Sequence, residues 1–177
     1  MYKLFKKNIR LGILGGTFDP PHLGHLHISK IALKKLRLNK LLWVVTKKNP
    51  LKKKPYLKIK TRIKLAKMIS GKEKKISVQY FDNKIKSNNT FNLLNYLKRK
   101  QKKTELFFLI GADNLIKFHK WNNWKKIPER AKIVDFPRGN YLIRKNKYIV
   151  TKGLKKKDLI YINSKKVNIS SSLIREF

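Results

Sequence analysis

The hydrophobic residues of this chain form short apolar runs that alternate with stretches where they recur at about every third or fourth position. Apolar runs of about four to eight residues are typical of buried strands, and the second spacing places apolar side chains on one face of a helix. Strands are predicted at 9–14, 41–46, 76–81, 106–110 and 132–136, with weaker candidates at 148–150 and 159–162. Helices are predicted at 23–36, 57–70, 88–100 and 115–124, and a further helix opens at Ser170.

This alternation predicts an α/β fold, because strands separated by helices form parallel sheets with helices on both faces. We expect a Rossmann-like, three-layer α/β/α arrangement with a mostly parallel sheet of about five to six strands. The loop at 49–56, which contains two prolines and a lysine run, does not separate domains. Ligands of such folds bind outside the carboxyl ends of the strands. The site is therefore expected in the loops after Leu14, Thr46, Phe81, Ile110 and Phe136.

The charge of the chain is extreme: 46 Lys and Arg face 9 Asp and Glu, for a formal net charge of +37. With 41% hydrophobic and 11% aromatic residues, the chain is nevertheless too apolar for a disordered polycation. A basic surface can bind nucleic acid, but Lys, Ile and Asn, whose codons are A- and T-rich, are abundant along the whole chain, and only 8 basic residues are Arg. This composition favours a general drift toward lysine over a specific nucleic-acid surface.

Cysteine is absent from the 177 residues, which excludes disulfides and thiolate chemistry. No apolar run approaches the roughly 18 residues that a membrane span needs. We therefore expect a cytoplasmic protein that does not bind membranes.

The loop after the first predicted strand has the strongest chemical signal. Residues 15–25 read GGTFDPPHLGH, in which paired glycines precede a helix start, where backbone N–H groups and the helix dipole attract phosphate. His22 and His25 share one face of the first helical turn and are close enough to hold one phosphate group. Two alternatives stay open: the histidines only cap the helix, or they bind zinc together with Asp19 and His27.

Two segments resemble the HxGH nucleotidyltransferase superfamily. The run at 15–25 is similar to its nucleotide-binding signature, and ISSSLIR at 169–175 resembles its second signature, ISSTxIR, with Ser172 in place of threonine. The resemblance spans nearly the whole chain in order. It therefore implies a single nucleotidyltransferase domain over residues 1–177.

A third segment narrows the resemblance to one family. IGADN at 110–114, followed by Trp121 and Trp124, is similar to the GxDxL…W…W stretch of bacterial nicotinate-nucleotide adenylyltransferases. NTF at 89–91 lies where those enzymes have a Tyr-Thr dipeptide. The resemblance implies transfer of AMP from ATP to nicotinate mononucleotide, giving nicotinate adenine dinucleotide (deamido-NAD) and pyrophosphate in NAD biosynthesis.

This reaction needs no general base, because the attacking 5′-phosphate is already ionised. The expected partners are the small molecules ATP and nicotinate mononucleotide, and a homodimer stays open. The expected cofactor is Mg²⁺ that the ATP phosphates and water carry, without a protein side chain as metal ligand.

The resemblance also assigns residues. Those implied to be catalytic are His22, His25 and Arg175. Those implied to bind ATP are Gly15, Gly16, Thr17, Phe18, Gly24, Gly111, Asp113, Ser171, Ser172 and Lys52. Those implied to bind the nicotinate nucleotide are Thr90, Trp121 and Asn122. At 49–52 the sequence NPLK lacks the histidine of the family's Pro-Pro-His-Lys element, so Lys52 is the candidate phosphate ligand there and Lys53 competes with it.

Two other functions stay open. Pantetheine-phosphate adenylyltransferases share both signatures but lack the tryptophan segment, and another HxGH nucleotidyltransferase is a related alternative. A basic nucleic-acid-binding protein on an inactive transferase fold would explain the net charge. The intact His22, His25, Ser171 and Arg175 argue against an inactive site.

Overall fold

Six parallel strands form one sheet in the described part of the chain. The computed structural model describes residues 9–49, 51, 54–136, 153–163 and 171–175. The strands are β1 (Ile9–Gly16), β2 (Lys40–Val45), β3 (Ile76–Gln79), β4 (Thr104–Gly111), β5 (Lys132–Phe136) and β6 (Leu159–Tyr161). Their order across the sheet is β3-β2-β1-β4-β5-β6.

Helices connect the strands. The α-helices are α1 (Leu23–Lys35), α2 (Ile59–Ser70), α3 (Asp82–Ile85), α4 (Thr90–Lys100) and α5 (Ala112–Ile116), and a last helical turn covers Ser171–Ile174. Short 3₁₀ helices lie at Phe118–Lys120, Trp124–Glu129 and Lys156–Asp158. None of the described helices combines the length and the apolar character that crossing a bilayer requires.

Both faces of the sheet are buried, which is why the strands read as continuous apolar runs. In β4, Phe107 and Leu109 face the side covered by α1 and α2, whereas Phe108 and Ile110 face the side covered by α4 and α5. All four side chains are at most 3% exposed. This arrangement confirms the expected three-layer α/β fold.

The strand order reverses at β1. From β1 the chain builds β2 and β3 on one side, and it then returns to place β4, β5 and β6 on the other side. Connections leave the carboxyl ends of β1 and β4 in opposite directions, which opens a crevice between them. The loop that carries His22 and His25 follows β1, so it lies at this crevice.

Several predicted bounds differ from the observed ones. The first strand continues beyond Leu14 through Gly15 and Gly16, which pair with Val44 and Val45. The third strand ends at Gln79, and α3 follows it. The helices predicted at 57–70 and 88–100 start at Ile59 in α2 and at Thr90 in α4.

The prediction of one helix at 115–124 is wrong. Helix α5 ends at Ile116, and Trp121 then adopts an extended backbone, with φ −80° and ψ 146°. Asn123 is left-handed, with φ 52°, which no helix continues through. The predicted strand at 148–150, the helix start at Ser170 and the candidate Lys52 lie outside the described residues.

Candidate active site

Two adjoining cavities occupy the crevice at the carboxyl edge of the sheet. The first, here called the histidine cavity, has a volume of about 410 Å³ and is lined by His22, His25, Asp113 and Arg175 among others. The second, here called the asparagine cavity, has a volume of about 440 Å³, and its lining includes Asn49, Asn88, Asn89 and Asn122. Both cavities share Gly15, Gly16, Asn49, Phe108 and Trp121 as lining. Two ligands bound side by side would therefore meet above the glycine pair.

His22 and His25 lie at the start of α1 with their ring centroids 3.9 Å apart. Nδ1 of His22, the N-cap residue, accepts the N–H of Gly24 at 3.1 Å, and Nδ1 of His25 accepts the N–H of His22 at 3.2 Å. The pair forms a reciprocal capping box, a role that Ser or Thr with Glu or Gln usually fills. The two rings therefore share one face as expected, and they also cap the helix.

Capping fixes the position of the ring protons. Since Nδ1 of each ring accepts a backbone N–H, the proton of each neutral imidazole lies on Nε2. Both rings line the histidine cavity. An anion bound at this helix start would meet ring N–H donors and the positive end of the α1 dipole.

An aromatic layer supports the histidines from below. Phe18 is only 2% exposed, and its ring stacks on Trp43 at 5.2 Å and lies 4.7 Å from the ring of His25. Nε1 of Trp43 donates to Oγ of Ser29 at 2.8 Å, which donates to the carbonyl of His25 at 2.7 Å. Phe18, expected to bind ATP, is thus largely buried, and it also lines the histidine cavity.

Asp19 fastens the loop that precedes α2. Asp19 is only 5% exposed. Its carboxylate accepts the backbone N–H groups of Tyr56 at 2.8 Å and Leu57 at 2.9 Å. Nowhere in the described ranges do three His, Asp or Glu side chains come together as metal ligands would. The zinc alternative with Asp19 and His27 therefore has no support among these residues.

The last helical turn lies across the first loop. Oγ of Ser171 donates to the carbonyl of Pro20 at 2.8 Å. Nη1 of Arg175 donates to the carbonyl of Asp19, and the guanidinium lies 5.1 Å from the centre of the Tyr56 ring. The tertiary structure thus brings Ser171 and Arg175 to the histidine pair across more than half of the chain.

Asp113 lines the histidine cavity, and Asp135 of β5 lies close enough to feel its charge. A Cβ at Gly111 would lie 2.9 Å from Oδ1 of Asp113, so a glycine there leaves room for this carboxylate. Asp135 is 3% exposed, and its Oδ1 has no hydrogen-bond partner among the described residues. Burial, and to a smaller extent the charge of Asp113, raise the pKa of Asp135 to about 7, although a hydrogen bond from the N–H of Phe136 opposes both. Asp135 is thus partly protonated near neutral pH.

The asparagine cavity contains the residues expected to bind the nicotinate nucleotide. Thr90 is the first residue of α4, whose N-cap Asn89 accepts the N–H of Asn92 at 2.8 Å. Asn122 is exposed, and its Oδ1 accepts from Nδ2 of Asn123 at 2.7 Å. Thr90 and Asn122 both line this cavity together with Trp121.

Trp121 and Trp124 have different surroundings. The Trp121 ring packs edge-on against Phe108 at 5.9 Å and tilted against Phe118 at 5.2 Å, and it lines both cavities. Trp124 contacts Phe118 edge-on at 6.3 Å and covers Gly153, where a Cβ would lie 2.5 Å from the indole. Only Trp121 therefore offers its indole to a bound ring.

Three charged side chains at this edge escaped the sequence analysis: Arg62, Asp82 and Asp135. Arg62 is 2% exposed; burial lowers its pKa, whereas Asp19, Asp82 and Tyr80 raise it. A signal for Arg62 was present, because it is the only arginine in the lysine-rich α2. Arginine suits a buried, multiply hydrogen-bonded position that lysine does not. Asp82 and Asp135 follow or end predicted strands, where acids are also common as helix caps.

Comparisons with known proteins agree with this geometry. The model of the cytidylyltransferase-like family matches residues 13–177. A probable nicotinate-nucleotide adenylyltransferase of Pelagibacter ubique (strain HTCC1062) is 48% identical over 173 residues, which are 98% of this chain and 96% of the relative. A protein of the same name from Ruegeria sp. (strain TM1040) is 38% identical over 123 residues, 70% of this chain and 65% of that relative.

A solved structure has the same fold. The nicotinic acid mononucleotide adenylyltransferase of Plasmodium falciparum, complexed with NaAD, has a TM-score of 0.78 at 20% identity, covering 96% of this chain and 83% of that one. The chain therefore belongs to the cytidylyltransferase-like family of nucleotidyltransferases. Within this family it belongs with the nicotinate-nucleotide adenylyltransferases, because the match to the Pelagibacter relative runs over both chains almost completely.

Proposed function

We propose that this protein transfers AMP from ATP to nicotinate mononucleotide, giving nicotinate adenine dinucleotide and pyrophosphate in NAD biosynthesis. The names of the relatives support the reaction. The observation that carries the proposal is the pair of adjoining cavities, which share the glycine pair and Trp121 and have two histidines at a helix start on one side. This arrangement fits two nucleotides whose phosphates meet at the shared wall.

The residues of the histidine cavity would stabilise charge on ATP. His22 and His25 would donate from Nε2 to the α-phosphate as negative charge builds up during in-line attack. Gly15, Gly16, Thr17, Gly24, Gly111 and Asp113 would contact the rest of ATP. Ser171, Ser172 and Arg175 would hold the β- and γ-phosphates, with Lys52 from the second loop. Phe18 would contribute from the core, by supporting the ring of His25.

The acceptor would bind in the asparagine cavity. Trp121 would stack on the cationic pyridine ring, which is a favourable contact for an indole face. Thr90 and Asn122 would offer polar groups to the ring substituent and the phosphate. The acceptor phosphate would then point toward the glycine pair that both cavities share.

Magnesium would enter as part of the MgATP substrate. The carboxylates that line the histidine cavity agree with a magnesium ion carried mainly by ATP. Asp19 already accepts two backbone N–H groups, and Asp113 is a single exposed carboxylate. Mg²⁺ readily keeps water and phosphate oxygens as most of its ligands. When bound, it would neutralise the phosphates and favour release of pyrophosphate.

We expect the reaction to take place in the cytoplasm.

A pyrophosphate-release assay tests the proposal. ATP is supplied with nicotinate mononucleotide, nicotinamide mononucleotide or pantetheine 4′-phosphate as separate acceptors. We expect the highest kcat/KM with nicotinate mononucleotide. A preference for pantetheine 4′-phosphate would assign the chain to the related transferase, and no turnover with any acceptor would refute the proposal.

A further inference from the structure

The guanidinium of Arg62 is buried where the carboxyl ends of β1 and β2 meet. Arg62 lies in the first turn of α2 and is 2% exposed. All of its described hydrogen bonds go to backbone carbonyls. Nε donates to Leu57 at 3.0 Å, Nη2 to Lys47 at 3.1 Å, and Nη1 to Thr46 at 2.8 Å and to Thr17.

Two of these carbonyls belong to residues that line different cavities. Thr17 follows β1 and lines the histidine cavity, whereas Thr46 follows β2 and lines the asparagine cavity. One nitrogen atom, Nη1, donates to both, so it fixes the distance between the two loops. A lysine ammonium has no planar fork and could not reach the same set of carbonyls.

Asp82 holds the end of β2 from the other side. Its Oδ2 accepts the hydroxyl of Thr46 at 2.8 Å and the N–H of Lys47 at 2.7 Å. Thr46 and Lys47 are thus held twice. Arg62 binds their carbonyls, and Asp82 binds the hydroxyl of Thr46 and the N–H of Lys47. Asp19 and Asp82 also favour the charged form of Arg62 in its buried position.

We propose that Arg62 is a positioning residue for nucleotidyl transfer, in that it aligns the walls of the two cavities and so brings the acceptor phosphate in line with ATP. This inference rests on the proposed function, since it assumes a ligand in each cavity. Rates of transfer depend steeply on such alignment, because a misplacement of about 1 Å can cost roughly a hundredfold. Binding of either substrate alone depends on the lining of its own cavity and not on the distance between Thr17 and Thr46. Loss of Arg62 should therefore lower kcat more than it weakens either substrate's binding.

The test uses Arg62→Lys and Arg62→Met in the full-length protein. Circular dichroism and thermal unfolding identify the folded fraction, steady-state pyrophosphate release gives kcat, and equilibrium titration gives Kd for ATP and for nicotinate mononucleotide. We expect kcat per folded molecule to fall at least ~10-fold in both variants, with each Kd changed less than ~3-fold. Arg130→Lys is the matched control: Nε of Arg130 donates to Oδ1 of Asn95 at 2.6 Å, and Arg130 lines neither cavity. It should lower Tm but leave kcat unchanged.

A second pair of variants keeps the test decisive if no Arg62 variant folds. Asp82→Ala releases the same end of β2 and should lower kcat at least ~5-fold without a comparable change in either Kd. Asp82→Asn should restore most of kcat, because an amide oxygen can accept the same two hydrogen bonds.

Unchanged kcat in folded Arg62→Lys would overturn the inference, as would unchanged kcat in Asp82→Ala if the Arg62 variants do not fold. A loss of kcat that only follows the folded fraction would also overturn it. The proposed function fails separately, and earlier, if the unaltered protein turns over no acceptor.

Discussion

The two cavities are of similar size but are built in different ways. In the histidine cavity, backbone hydrogen bonds hold the side chains expected to contact ATP: His22 and His25 are fixed by the capping box and Arg175 by the carbonyl of Asp19. In the asparagine cavity, Trp121 is held by aromatic contacts with Phe108 and Phe118. The side chains expected to contact ATP are thus held by directional bonds, whereas the indole expected to contact the pyridine ring is held by packing.

This difference indicates what each wall contributes. Directional hydrogen bonds fix donors in the geometry that a transition state needs, which raises kcat. Packing presents a surface that a ring contacts equally in the ground state and the transition state, which lowers KM. We therefore expect changes at His22 and His25 to act on kcat and changes at Trp121 to act on the KM of the acceptor.

The largest expected effect tests the histidine wall. His22→Ala or His25→Ala should lower kcat by at least ~10²-fold, because a donor to the transferring phosphate is lost. His22→Ala should also reduce the free energy of unfolding by roughly 1 kcal/mol through the lost cap. Pyrophosphate release and urea unfolding measure the two effects.

His22→Asn separates capping from catalysis. Asparagine is a favourable N-cap residue, so this variant should be about as stable as the unaltered protein and yet lose kcat to a similar extent as His22→Ala. Near-normal turnover in His22→Asn and His25→Ala would show that these residues only cap α1.

A smaller effect tests the packed wall. Trp121→Ala should raise the KM of nicotinate mononucleotide by about 10-fold and the KM of ATP by less than ~3-fold, since a stacking contact to the acceptor is lost. Initial rates with each substrate varied in turn provide both constants. Trp124→Ala is the control: it should lower Tm and leave both KM values unchanged. Equal changes in both KM values for Trp121→Ala would make it a core residue without a role in binding.

The buried carboxylate of Asp135 predicts a pH-dependent stability. The pKa of Asp135 is about 7 in the folded protein, above the ordinary value of 3.8 for an aspartate, so between these pH values the native state binds more protons than the unfolded state. Stability is then lost as pH rises toward 7. Asp135→Asn should remove this loss, and its gain in unfolding free energy should be roughly 2–3 kcal/mol larger at pH 8 than at pH 5.

Urea unfolding at several pH values measures this difference. The exposed Glu129 offers a control in Glu129→Gln, which should show no such trend. A gain for Asp135→Asn that is the same at pH 5 and pH 8 would mean that Asp135 is ionised throughout.

The smallest expected effect concerns the net charge of +37. If the lysines reflect compositional drift, they influence both cavities only through screened, long-range attraction, over a Debye length of about 8–10 Å. The KM of ATP should then depend weakly on salt, and duplex DNA should bind only at low salt. Gel-shift titrations measure this binding. DNA binding that persists at ~0.2 M salt and competes with ATP would instead favour a selected nucleic-acid surface.

The sequence alone determined the order of the elements and the histidine pair. Alternating apolar runs and helical spacing are local properties, so they predicted the α/β fold and all six described strands to within a few residues, β6 as a weaker candidate. The spacing of His22 and His25 is also local, because a helix start places residues three apart on one face. The prediction failed at 115–124, where Asn123 takes a left-handed backbone that apolar spacing does not reveal.

The tertiary structure decided which side chains act together. Arg62 lies 45 residues from Thr17, and Arg175 lies 156 residues from Asp19, so no local pattern links either pair. The raised pKa of Asp135 arises from burial and from Asp113, which comes near only when β4 and β5 pair. Trp121 and Trp124 look alike in sequence, but only the packing around Phe118 points one indole at the cavities and the other at Gly153. Hydrogen bonds, desolvation and packing between distant residues exist only once the sheet has formed, and for that reason local sequence patterns could not reveal them.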